Sequence, residues 1–214
     1  MARETSVHHP IFARLFAWGA SNAPAEQLEH RRRVLEGLSG RVIEVGAGNG
    51  LNFPHYPATV TEVLAVEPEA YLRGKAEEAA AKASVPVRVV DGVADSLPAE
   101  AGSFDAGVAS LVLCSVPDPA VALAELRRVI RPGGELRFYE HVRAKDARHA
   151  RSQDRINRLW PHFSGGCHPN RDTPASIEAA GFEIERCDRF KFKPVVGMKA
   201  IEPHVIGVAR RPNT

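Results

Sequence analysis

The stretch Val42-Ile43-Glu44-Val45-Gly46-Ala47-Gly48-Asn49-Gly50 places three glycines within five residues, directly after a short apolar run that opens at Arg41. Glycines this dense permit a tight turn and let a ligand approach the backbone closely. A dinucleotide fingerprint would read Gly-x-Gly-x-x-Gly and open a long helix. Here the third glycine falls one residue early and Leu51 takes its expected place. Pro54 and Pro57 then interrupt the segment, which argues against a long helix aimed at a pyrophosphate. No Gly-Lys-Ser or Gly-Lys-Thr follows, which removes a triphosphate-binding loop.

Outward from this stretch, apolar runs at 41–45, 62–66, 87–90, 104–110 and 135–140 alternate with helical patterns at 69–83 and 118–130. Such alternation predicts a parallel sheet flanked by helices and closed by right-handed crossovers. A helix over 25–38 leads into Gly40, and Arg131-Pro132-Gly133-Gly134 is a turn that stops the 118–130 helix. Residues 143–157 are polar and basic. Residues 160–173 are rich in Gly, Pro, His and aromatics and read as a lid. A short helix over 174–180, a Gly181 cap and the runs "FEIERCDRF" and "HVIGVARR" complete the chain, the last two forming an antiparallel edge.

The composition, 44% hydrophobic and 25% charged over 214 residues, is that of a globular chain with one core. A net charge of +2 is too mild for nucleic acid, and no nucleic-acid partner is expected. Arg31-Arg32-Arg33, the stretch from Arg143 to Arg158 and Arg210-Arg211 read as solvated helix faces or loop edges, with acids interleaved among most of them. Three irregularly spaced cysteines make no disulfide framework, so a reducing cytoplasm is the expectation. The segment "IFARLFAWGA" is interrupted by Arg14, so no membrane anchor is expected.

The pattern Glu-x-Gly-x-Gly-x-Gly resembles the first motif of Rossmann-like S-adenosylmethionine methyltransferases. The resemblance implies S-adenosylmethionine as cofactor, with the backbone at Gly46, Ala47, Gly48 and Gly50 against its methionine part and Glu44 starting the motif. A second mark is an acid about 20 positions on, at the end of the next strand, able to accept from ribose hydroxyls. Glu67, followed by Pro68, fills that place in "LAVEP". The segment "VVDGVADSLPAEAGSFD" resembles the family's adenine-holding region. There Val93 stands where the family often has an acid, which leaves Asp95, or the backbone of Val93 and Ala94, as adenine contacts. Asp91 and Asp95 read equally as ordinary loop caps. The implied fold is a Rossmann-like, seven-stranded, mostly parallel sheet with helices on both faces and an antiparallel edge strand. It forms one domain: a helical cap over 1–38, a cofactor-binding core over 39–142, a substrate lid over 143–173, and a C-terminal helix and strands over 174–214.

The strings "GLNFPHYP", "SLVLCSV", "RPGG" with "FYEHV", "GGCHPNRDT" and "EPHVIGVA" further resemble the alkyl thiol methyltransferase subfamily and its bacterial relatives. The resemblance runs from Leu38 to Ala209 and implies a small acceptor, a thiol. Animal members carry a long apolar N-terminal anchor, which is not carried over to this sequence. Methyl transfer from a sulfonium is an in-line displacement in which the enzyme supplies position and excludes water. A thiol with a pKa near 8.5 needs only modest help.

His141 is the candidate for that help because it follows the fifth strand, at the ligand-facing end of such sheets. The alternative is a strand-end histidine satisfied by backbone. Glu140 either orients it or points into the sheet. Leu111 and Cys114 are read as lining the cofactor pocket, Cys114 alternatively the core, as a small apolar residue and not a nucleophile. Trp160 and Phe163 present apolar surface to the acceptor or pack the lid, and Arg171 anchors an acidic group or Asp172. Phe12, Phe16 and Trp18 are expected to fold over the same cavity. Cys167, His168 and His162 match the common zinc spacings poorly, so no metal is expected. Two rivals stay open: a phenol, amine or phospholipid head group as acceptor, and a non-catalytic cofactor-binding module. Oligomeric state is not legible.

Overall fold

The computed structural model describes Arg14 and residues 24–193 and 198–213. Phe12, Phe16 and Trp18 lie outside the described residues.

Seven strands form one sheet: β1 (Gly40–Val45), β2 (Val60–Val66), β3 (Val87–Val90), β4 (Phe104–Ser110), β5 (Ile130–His141), β6 (Glu183–Lys191) and β7 (Pro203–Arg210), in the order β3-β2-β1-β4-β5-β7-β6. The first five run parallel, and β7 is antiparallel to both β5 and β6. The antiparallel part is therefore a pair of strands, with the last one inserted beside β5.

Alternation along each strand sends side chains to two cores. Ile43, Val45, Leu64, Val66 and Phe138 pack on one face with Leu123 and Leu126 of α3 (Pro119–Val129). Val42, Val63, Val108 and Tyr139 pack on the other with Val34 and Leu35 of α1 (Ala25–Leu35) and Ala76 of α2 (Ala70–Ala80). These central strands are covered on both sides, which is why they read as unbroken apolar runs.

Three details differ from expectation. Arg131-Pro132-Gly133-Gly134 lies inside β5, as an excursion between residues paired to β4 at Ile130 and at Glu135. The polar stretch after β5 contains a helix, α4 (Ala147–Ile156), whose N-cap Asp146 accepts from the His149 N–H. Arg31 is not solvated: it is 6% exposed, on the inner face of α1. Two shorter helices, α5 (Trp160–Phe163) and α6 (Thr173–Ala179), complete the described helices longer than one turn of 3-10 type.

Candidate active site

Connections step outward from β1 to β3 on one side and from β4 to β5 on the other, so the carboxyl ends of β1 and β4 border a topological switch point. Ligands of open α/β sheets bind in that crevice. The glycine loop enters it directly from β1, with φ of 63° at Gly46, 59° at Gly48 and 79° at Gly50. A Cβ on Gly46 would sit 2.6 Å from Val112, so no larger residue fits between this loop and the one after β4.

Glu67, at the end of β2, accepts from the Gly48 N–H at 2.7 Å with one oxygen and from the Glu69 N–H at 2.9 Å with the other. Burial raises its pKa against those two bonds. A carboxylate offers about four acceptor sites, so each oxygen retains one for a hydroxyl. Pro68 keeps its carbonyl on Arg73 at 3.0 Å. Glu44 lies behind the loop, 2% exposed, accepting from Asn52 at 2.8 Å and Tyr56 at 2.7 Å, while Asn52 accepts in turn from Arg31 at 2.8 Å. Val93 bridges to Ser96 after β3. Close by, Asp95 holds a buried Oδ1 with no hydrogen-bond partner, and desolvation, then Asp118, raises its pKa. An orphaned acceptor beside the crevice calls for a donor. Glycine backbone, a carboxylate with acceptor sites to spare and this orphan together fit the amino-acid, ribose and adenine parts of S-adenosylmethionine.

The loop after β4 is held from several directions. Leu111 adopts φ 62° and donates its N–H to the Tyr139 carbonyl at 2.6 Å. Glu140, fully buried, accepts from the N–H groups of Val112 and Leu113 at 2.9 Å and of Cys114 at 3.1 Å. Burial raises the Glu140 pKa well above its ordinary value against these bonds. Arg171 donates to the carbonyls of Leu113 and Val116, both at 2.7 Å, so its guanidinium grips this loop. Asp172 pairs with Arg189 rather than with Arg171.

His141 stands at the end of β5 with Nδ1 3.6 Å from Cys114 Sγ and 3.5 Å from Cys167 Sγ. The contact with Cys167, then burial, pushes the Cys114 thiol well up. His168 turns away, to Asn157 Oδ1 at 3.0 Å, and His162 is exposed. His204, opposite His141 in the β5–β7 register, was not singled out by sequence. Its ring lies 4.6 Å from that of His141, its Nδ1 is 2.8 Å from the Glu202 carbonyl, and burial, with His141 adding to it, lowers its pKa to about 3. It is therefore neutral, with the proton on Nδ1.

Gln153 of α4 was missed as well. Wholly buried, it donates to the carbonyls of Val142, Pro169 and Ala200 and accepts from the Ala144 N–H, tying the segment after β5 to the Cys167 loop. Trp160 lines a half-open cleft of about 410 Å³ with Ile156, Met198 and Ile201, while Phe163 is 77% exposed.

This crevice and its sheet order define a Rossmann-like methyltransferase class. Residues 43–138 match the family described as "Methyltransferase domain". Human thiol S-methyltransferase TMT1B is 34% identical over 185 residues, covering 82% of this chain and 73% of that protein. Human TMT1A is 30% identical over 200 residues, covering 86% and 80%. The chain belongs to this family of S-adenosylmethionine-dependent methyltransferases, and S-adenosylmethionine is its cofactor. The solved structure of the [4+2]-cyclase SpnF shares the fold, with a TM-score of 0.68 and 21% identity over 88% of this chain and 82% of that one. Among the described residues no helix is long and apolar enough to cross a membrane.

Proposed function

We propose that the protein methylates the thiol of a small acceptor in a reducing cytoplasm. The observation that carries this reading is the identity to TMT1B across most of the chain. The local chemistry supports it, because a histidine flanked by two sulfur atoms makes a soft, weakly polar floor to the crevice. Bound S-adenosylmethionine supplies an electrophilic methyl group.

The chain's residues position both partners. Gly46, Ala47, Gly48 and Gly50 take the amino-acid part, with Glu44 acting from behind through Asn52 and Tyr56. Glu67 and Pro68 border the ribose. Val93, Ala94 and Asp95 meet the adenine, and Leu111 and Cys114 line the pocket. His141 helps the acceptor lose its proton. Residues 143–173 cover the acceptor side with Trp160 and Phe163, and Arg171 acts through the loop it grips.

Product analysis by mass spectrometry, with matched alkyl thiol, phenol, amine and phospholipid acceptors, tests the reading. Methylated thiol with S-adenosylhomocysteine is the expected result; methylation of another acceptor alone refutes the thiol. Cofactor binding with no product from any acceptor would favour the binding-module reading, since fold alone does not fix function. His141→Ala is expected to lower kcat by roughly 100-fold and leave cofactor affinity unchanged. Equal loss in both returns His141 to a structural role.

A further inference from the structure

Three side chains converge at one point of the crevice from distant parts of the chain. Cys114 comes from the loop after β4, His141 ends β5, and Cys167 follows the pair Gly165-Gly166. The two Sγ atoms are 3.8 Å apart, and His141 Nδ1 lies 3.6 Å and 3.5 Å from them. A tetrahedral zinc ion, with Zn–S of about 2.3 Å and Zn–N of about 2.0–2.1 Å, sets S···S edges of ~3.8 Å and S···N edges of ~3.5 Å. The three separations thus match the edges of one face of such a tetrahedron.

The ligand-bearing segments are also built to hold that triangle. Glu140 grips three successive N–H groups ending at Cys114, and the Cys114 carbonyl accepts from the His168 N–H at 2.6 Å. Gly166, at φ 83°, lets the two loops touch, because a Cβ there would lie 2.7 Å from the Ser115 carbonyl oxygen. His204, paired with His141 across β5 and β7, packs against the imidazole. Outer support of this kind is what orients metal ligands. Cys114 and Cys167 are buried and His141 is half-buried, so His141 is the most accessible corner of the triangle.

We propose that Cys114, His141 and Cys167 bind zinc, and that the fourth position takes the sulfur of the acceptor. Two cysteines and one histidine with an open position form a known catalytic donor set for zinc. Two thiolates and a neutral imidazole neutralise the ion. An acceptor thiol that joins them releases its proton to solvent and stays a thiolate at neutral pH. A lone pair of that sulfur then forms the new carbon–sulfur bond, and the methyl–sulfonium bond breaks with its electron pair left on S-adenosylhomocysteine. The thioether product is a poor ligand and departs. This acceptor role rests on the thiol reading above, whereas the metal site itself does not. It also recasts His141, which holds the ion that acidifies the acceptor instead of taking the proton itself.

The test starts with the full chain, purified without chelator or polyhistidine tag from zinc-supplemented medium, and its metal content by plasma mass spectrometry. One zinc per chain is expected, lost in Cys114→Ala and Cys167→Ala and retained in Cys187→Ala. Cobalt substitution of the unaltered protein avoids any folding defect of the variants. It should give thiolate-to-cobalt charge transfer and intense tetrahedral visible bands, which shift when an alkyl thiol is added but not when a phenol is. Zinc removal should lower thiol methylation at least ~10-fold, restored by zinc. Metal-free protein without a cobalt spectrum overturns the site, as does thiol counting that finds Cys114 and Cys167 joined as a disulfide. Bound zinc with a cobalt spectrum indifferent to thiols overturns the acceptor position. Bound zinc in an enzyme that methylates only phenols, amines or lipids overturns the thiol reading and leaves the metal site standing.

Discussion

Glu44 carries a charge that its surroundings only partly support. Burial pushes its carboxyl up to about 7, while the bonds from Tyr56 and Asn52 and the charge of Arg31 pull the other way. The folded value lies above the unfolded one, so the folded state binds more protons between about pH 4.5 and 7, and stability falls as pH rises through that window. The loss is roughly 3 kcal/mol and levels off above pH 7. Glu44→Gln should flatten this part of the curve, as urea titrations at pH 5 and pH 8 will read. Glu67→Ala removes the acceptors proposed for the ribose and for Gly48 N–H; calorimetry should find S-adenosylmethionine bound ~10–100-fold more weakly, and unchanged affinity would refute its assignment to the cofactor. Both acids were legible in the sequence because motif spacing marks them. Their partners were not: Asn52 and Tyr56 reach Glu44 only through the short 3-10 turn Phe53–His55. The cluster of Cys114, His141 and Cys167 was hidden for a related reason. Its members are 27 and 26 residues apart, far from the short spacings by which zinc ligands are usually recognised.

At the level of elements, the loop holding Cys167 depends on a backbone that only glycine adopts easily. Gly166→Ala adds strain at φ 83° and a contact with the Ser115 carbonyl, and should cost about 1–3 kcal/mol in denaturant unfolding. An unchanged midpoint would show that the two loops separate without penalty. The central parallel strands were legible because they are buried on both faces and so read as apolar runs, while the edge strand β3, only partly buried, was marked by its valines. Helix α4 was not. Only Ala150 and Gln153 of its ten residues are buried, which leaves no apolar stripe to betray a helix. This polar segment docks chiefly through polar contacts, those of the buried Gln153 amide joined by His149 to the Lys199 carbonyl and Asp154 to Arg143 and Asn170. The Arg-Pro-Gly-Gly turn misled about boundaries for a simpler reason: it interrupts the pairing of β5 with β4 without ending the strand.

For the whole molecule, α1 is the brace that joins the glycine loop to the sheet. Arg31 reaches Asn52 and also Ser110 at the end of β4, while His30 packs among Tyr139, Phe190 and Phe192. Arg31→Ala strands Glu44 and Asn52 in a buried site and should cost roughly 3–5 kcal/mol. Two residues along the same helix, Arg33 pairs with Asp188 at the surface, and Asp188→Asn should cost less than about 1 kcal/mol. Equal losses by thermal unfolding would contradict this division between a buried brace and a surface pair. Alternating strands and helices made the parallel half of the sheet readable, and the two terminal runs pointed to antiparallel pairing. What no local pattern announced is that β7 inserts between β5 and β6. That order has a consequence during synthesis. Until residues 203–210 leave the ribosome, β5 has an open hydrogen-bonding edge and β6 lacks its one partner in the sheet, since β7 alone connects them. The nascent chain therefore carries a sticky border until β7 emerges, and proteins that shield such borders should bind chains halted before β7 and ignore those halted after it.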